Sequence, residues 1–163
     1  MALIATAGAT NADSYVTLLE AETYWVNHGN PSDWDTASTP ELESALRYAT
    51  QYLEQNFTWY STIYDVSQSL SWPRRPYWDS QGRPVAGDGV IPWQVKDAVC
   101  ELALEYLKDD FTSSDTENIQ SETIGAASVT YATGSKKTYP YMRMMLRDFG
   151  SANKSGNGIL LRG

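Results

Sequence analysis

Nucleophilic and metal chemistry have little to draw on in this chain, because among 163 residues His28 is the only imidazole and Cys100 the only thiol. A Ser-His-Asp or Cys-His arrangement would have to pass through one of these two. They cannot hold zinc without several carboxylates. A single cysteine also excludes an intrachain disulfide, and Cys100, set among Leu and Ala, reads as a buried thiol in a reducing compartment. His28 stands beside Gly29 at a helix end, where a basic group complements the helix dipole. No P-loop, dinucleotide fingerprint or EF-hand pattern is present, and Gly87-Asp88-Gly89 is too short to cradle a phosphate and reads as a turn. No cofactor and no metal are therefore expected. Long apolar runs are missing too, and Met1-Ala2-Leu3-Ile4-Ala5 has neither the basic flank nor the length of a signal peptide. The expectation is a soluble protein made in the cytoplasm, with no membrane contact.

Positive charge is scarce as well. The chain carries 12 Lys and Arg against 20 Asp and Glu, a formal net charge of -8, with a sequence pI near 4.5. General nucleic-acid binding rests on neutralising phosphates with Lys and Arg, so this balance argues against it. The few bases are gathered at one end. From residue 135 onward there are six, Lys136, Lys137, Arg143, Arg147, Lys154 and Arg162, against the single acid Asp148, a local excess of +5, while the rest of the chain stands at −13. A basic end on an acidic body predicts a meeting with an acidic surface, on a partner or on a neighbouring copy.

The hydrophobic pattern predicts a mainly α fold in one domain over 13–150, a bundle of about four helices with a small β-hairpin, a long loop excursion and extended terminal arms. Residues 1–12 are small and polar after Leu3 and Ile4 and read as an arm. Asp13 or Ser14 is placed to cap a first helix with Tyr15, Leu18, Ala21 and Trp25 at helical spacing, ended by Gly29. Thr39 and Pro40 read as the cap and first-turn proline of a second. There Leu42, Ala45, Leu46, Ala49, Leu53 and Phe57 form the apolar stripe, with Glu43, Arg47, Gln51 and Glu54 facing away. Phe57 to Tyr64 reads as a brief extended segment opening a loop of about 58–91. From Pro92 to Asp110 a third helix is apolar on two sides, which predicts the central element. Two short strands over 119–132 would turn at Gly125, and Met142, Met145, Leu146 and Phe149 make a last helix ended by Gly150. Residues 151–163 read as a flexible linker carrying an apolar plug, Ile159-Leu160-Leu161, on a tether.

One region carries a family likeness. It comprises Leu70-Ser71-Trp72-Pro73-Arg74, the turn-rich stretch from Asp79 to Gly89, and Ile91-Pro92-Trp93-Gln94-Val95-Lys96 opening an apolar helix. Proline holds the residue before it extended, so Trp72 is preset as an anchor, and Pro92 suits a helix start. With Ser14-Tyr15-Val16-Thr17-Leu18-Leu19-Glu20-Ala21 and Cys100-Glu101-Leu102-Ala103-Leu104, the pattern resembles the small head-to-tail connector (adaptor) proteins of tailed bacteriophages, over roughly residues 12–149. Related sequences carry the label DnaT-like single-stranded-DNA-binding. The resemblance implies a ring, dodecameric by analogy, below the portal in the virion neck, prolonging the DNA channel and docking the next neck or tail-completion protein. Packaged DNA would pass through it without specific binding.

It further implies that the C-terminal segment docks on the portal, through Lys136, Lys137, Arg143, Arg147, Ile159, Leu160, Leu161 and Arg162. Trp72, Pro73 and Pro92 act as structural anchors, and Val129 and Tyr131 of the hairpin are candidates for contact between subunits. Two other readings stand beside it. Trp72, Arg74, Arg75, Tyr77 and Trp78 interleave aromatic and basic side chains as a single-stranded-DNA platform does. Asp33, Asp35 and Asp79, each beside a Trp, are the acids that a small carbohydrate-active enzyme would need. No enzymatic activity is expected.

Overall fold

The computed structural model describes residues 2–79, 81–108 and 140–152. Helix α1 spans Leu18–Asn27, α2 Ser32–Asp35, α3 Thr39–Asn56, α4 Trp93–Lys108 and α5 Pro140–Leu146, with strand β1 at Phe57–Trp59 and β2 at Gly150–Ala152. The fold is mainly helical, as the patterning predicts, and the described residues also hold one small antiparallel strand pair, at a place the patterning does not predict. The hairpin expected over 119–132 lies outside the described residues.

Helix starts follow local chemistry, one turn or one residue away from the sequence expectation. Thr17, not Asp13 or Ser14, caps α1: its side chain accepts from the Glu20 amide at 3.2 Å, and Glu20 reaches back to the Thr17 amide at 2.8 Å. This reciprocal pairing satisfies two otherwise orphaned N–H groups. Asp13 is engaged elsewhere, accepting from the Ile4 amide and from Arg47 Nε, both at 2.7 Å. Ser14 turns its hydroxyl to the Val16 carbonyl at 2.8 Å. In α3 the cap is Ser38, boxed with Glu41, which moves Thr39 into the first turn, where Pro40 stands as expected. Between α1 and α3 lies α2, which buries the Trp34 indole against Trp25 at 5.9 Å between ring centroids.

Helix α4 is the central element, packed by α1, α2, α3 and α5. The two-sided apolar pattern becomes two-sided burial: Val95, Ala98, Val99, Cys100, Leu102, Ala103 and Leu104 are all buried. Facing them, α3 buries Leu42, Ala45, Leu46, Ala49 and Leu53, with alanines admitting close approach of the helices. Each fully buried Leu contributes about 1.5–3 kcal/mol before ordering costs. Burial also pushes the Cys100 thiol well above its ordinary pKa, so it packs as a small hydrophobe. Polar ties close the α1–α4 seam, where Lys96 pairs with Glu20 and the Tyr24 hydroxyl donates to Glu101 at 2.7 Å. Glu54, expected to face away, turns inward at the edge of this core.

The strand pair joins distant parts of the chain. Phe57 pairs with Ala152, Thr58 with Ser151 and Trp59 with Gly150. Gly150 and Ser151, read from sequence as a helix stop and the start of a linker, are therefore sheet residues. Gly150 has a steric reason to be there: a Cβ would stand 2.7 Å from the Thr58 carbonyl oxygen and 3.2 Å from Trp59 Cα. Backbone cannot yield as a flexible side chain would. Gly150→Ala is thus expected to destabilise by about 1–3 kcal/mol, the usual range for overpacking, read by urea denaturation. A neutral result would show that β2 can move off β1 without loss.

Candidate functional site

The segment from Tyr60 to Ile91 folds back on the body instead of projecting from it. Ile63 bridges Arg74 and Trp78 bridges Pro84, so it forms two short antiparallel turns. Trp72 is 1 % exposed, edge-on to Trp59 at 5.7 Å and Phe149 at 6.0 Å between centroids. Pro73 is buried beside it and Pro92 is buried at the head of α4. The Trp25, Trp59 and Trp72 indole N–H groups find no acceptor among the described residues, so area and ring contacts hold these side chains.

Hydrogen bonds tie this segment to both neighbours. The Tyr15 hydroxyl donates to Glu54 of α3, and Glu54 also accepts from the Ser71 amide at 3.2 Å and its hydroxyl at 2.8 Å. Ser69 donates through its hydroxyl to Ala12 O at 2.6 Å and through its amide to Ala9 O at 3.1 Å, fastening the N-terminal arm. Arg74 is buried and donates to three carbonyls, those of Tyr60 at 2.7 Å, Ser71 at 3.0 Å and Ser61. Its charge is used in shaping the turn.

What remains for a ligand is a different set of side chains. Trp78 is 71 % exposed, and Tyr60 and Tyr64 are also exposed. The Arg75 guanidinium lies over the Tyr64 ring, 5.7 Å from its centroid. Tyr77 meets Tyr60 edge-on and donates its hydroxyl to the Asp148 carbonyl at 2.6 Å. Burial and the nearby Asp148 charge push the Tyr77 pKa up to about 12. Between residues 60 and 91 the three bases, Arg74, Arg75 and Arg83, are matched by three acids, Asp65, Asp79 and Asp88. Arg83 pairs with Asp79 at 3.0 Å and Arg74 is spent on carbonyls, which leaves Arg75 as the base of this segment whose guanidinium has neither an ion pair nor a carbonyl partner among the described residues.

The acids singled out in the sequence serve turns. Asp79 accepts from the Arg83 and Gln81 amides, each at 2.8 Å, and these bonds hold its carboxyl below the ordinary aspartate range. A general acid needs the opposite shift. Asp35 accepts from Asn30 at 2.8 Å, and Asp33 is exposed on α2. His28 stacks on Tyr24 at 4.0 Å and bonds its carbonyl at 2.7 Å. Among the described residues no three His, Cys, Asp or Glu side chains come together as a metal site would require, and no helix is long and apolar enough to cross a membrane.

Compared with known proteins, residues 1–163 match the family described as "Putative DnaT-like ssDNA binding protein". The chain belongs to that family. No curated protein and no solved structure matches it. In this DnaT-like chain the expected aromatic and basic platform is divided: Trp72 and Arg74 belong to the core, while Arg75, Tyr77 and Trp78 stay at or near the surface. The sequence missed Tyr60 and Tyr64, which the fold brings against Tyr77 and Arg75 respectively. Of the expected docking residues, Arg143 and Arg147 are exposed on and just after α5. Lys136, Lys137, Ile159, Leu160, Leu161 and Arg162 lie outside the described residues, as do Val129 and Tyr131.

Two measurements check this division of the DnaT-like loop. Trp72→Ala should cost about 3–5 kcal/mol and Trp78→Ala less than about 0.5 kcal/mol, both by denaturant titration. Equal losses would mean that the two indoles share one environment. The second concerns Tyr15, whose folded pKa burial and then the Glu54 charge raise well above its ordinary value. Its unfolded form ionises near pH ~10, so the stabilisation is fully present below that pH and is lost as pH rises toward the folded value. Tyr15→Phe should flatten the alkaline fall in stability by up to about 1.4 kcal/mol per pH unit. An unchanged slope above pH 10 would mean that the hydroxyl ionises freely in the folded chain.

Proposed function

We propose that this chain is a structural adaptor of a tailed-phage neck, assembling as a ring below the portal and prolonging the DNA channel. The observation that supports this most is the use of Trp72 and Arg74 inside the fold of an acidic chain, which leaves Arg75 as the one unpaired base beside the exposed aromatics among the described residues of the loop. An acidic channel wall lets packaged DNA pass because it repels phosphate. Large apolar side chains remain exposed on several elements, Leu19 and Val26 on α1, Trp93 on α4, Tyr141 and Met144 on α5. Subunits that meet neighbours on more than one side need such surfaces. The likeness to connector proteins supplies the partners: the portal for the basic C-terminal segment, and the next neck or tail protein on the other side. The reading includes no enzymatic turnover and no cofactor.

A second reading is single-stranded-DNA binding, favoured by the family's description and by the Tyr64, Arg75 and Trp78 surface. Stacking on such side chains is worth about 1–3 kcal/mol per base, yet one free base gives a salt slope near only ~0.7. Fluorescence anisotropy with a labelled oligonucleotide separates the two. The adaptor reading predicts a Kd of about 10⁻⁵ M or weaker at physiological salt, with little change in Trp78→Ala. Tight binding that Trp78→Ala or Arg75→Ala removes would reverse the order of the two readings.

A further inference from the structure

Two exposed helix faces of opposite character lie on this one chain. On α1, Leu19, Glu22 and Val26 recur at spacings of three and four, so they form one outward stripe, and Leu19 and Val26 are 72 % and 71 % exposed. The opposite side of the same helix buries Ala21 and Trp25. No Lys or Arg precedes Arg47, and seven acids do, Glu22 and Asp33 among the exposed ones. On α5 the outward stripe is Tyr141 and Met144, 60 % and 69 % exposed, followed by Arg147, which pairs with Asp148 at 3.7 Å, and flanked by Arg143, which keeps the face net basic. Here Met142 and Leu146 face the core. One face is apolar and acidic, the other apolar and basic.

We infer that the α5 face of one copy docks on the α1 face of the next. The inference rests on the ring reading and names the surfaces that would build it. Both faces are exposed in the same folded chain, so neither covers the other within it. Because they differ, a contact between them is head-to-tail, and such a contact continues from copy to copy until rotation closes it into a ring. A symmetric dimer that set either face against its own copy would instead put like charges together, acid on acid or base on base. Apolar side chains at the centre with charges at the rim is the ordinary anatomy of a protein interface. The charges set orientation and rate of encounter, and the apolar side chains set the lifetime.

The test uses two full-length variants and sedimentation-velocity ultracentrifugation at tens of micromolar. One loses the α1 face by Leu19→Asp with Val26→Asp, the other the α5 face by Met144→Asp with Arg147→Glu. All four side chains are exposed, and circular dichroism checks that the helices remain; Glu22→Arg with Arg147→Glu serves as a milder reciprocal pair. Each face variant alone should stay at the 18.2 kDa monomer mass, at concentrations about tenfold above those at which the unaltered chain assembles. Mixed together they should give one-to-one dimers and nothing larger, since each retains one complementary face. In the milder pair, either single change should weaken assembly and the two combined should restore it. If both face variants assemble like the unaltered chain, this interface is wrong and the ring reading stands. If the variants are monomeric and fail to pair when mixed, the two faces do not meet each other. If the unaltered chain is itself a monomer under these conditions, the ring reading fails together with the interface.

Discussion

Burial of Trp72 is the constraint on which the other parts of this molecule depend. Its ring touches Trp59 of β1 and Phe149 just before β2, so one side chain ties the loop to both strands of the pair. Next to it, Ser71 binds Glu54 of α3 and Ser69 binds the N-terminal arm. Arg74 then holds the return of the loop through three carbonyls. Three stretches far apart in sequence, the N-terminal arm, the end of α3 with β1, and Phe149, thus converge on residues 69–74. A large aromatic area and a guanidinium bound to three carbonyls make that point rigid, because removing either leaves a cavity or unmet carbonyls.

That rigidity decides what the surface can do. Stacking needs a ring that a base can reach, and phosphate binding needs a cation not already hydrogen-bonded. The side chains that best meet those needs on paper, Trp72 and Arg74, are the two that the fold withdraws. Trp78, Tyr64 and Arg75 remain, with acids interspersed at Asp65, Asp79 and Asp88. Such a surface is better suited to contact with another protein, where aromatic side chains supply area at low entropy cost. The family's description and the chain's acidity pull in different directions, and the exposed apolar faces of α1 and α5 add weight on the side of assembly.

Helical parts of the fold were readable because their signals are local. Stripes at spacings of three and four in α3, and the doubled stripe of α4, carry burial directly in the order of residues. Caps were misplaced by short distances because Asp13, Ser14, Thr17, Ser38 and Thr39 are all competent, and only tertiary partners such as Ile4 and Arg47 decide among them. The β1–β2 pair was hidden because it joins residues about ninety apart and one member is a Gly-Ser-Ala stretch without strand-forming side chains. The loop surface was half legible: the aromatic and basic residues stood out, but which pointed inward depended on Trp59, Phe149 and Glu54, none of them near in sequence.

The central claim is that this chain extends a portal channel and does not coat DNA. Electron microscopy of the full-length protein mixed with its cognate portal and an excess of single-stranded DNA tests it most directly. An added ring of density beneath the portal, with the DNA left bare, is the predicted result; DNA strands coated by the protein beside unmodified portals would contradict it.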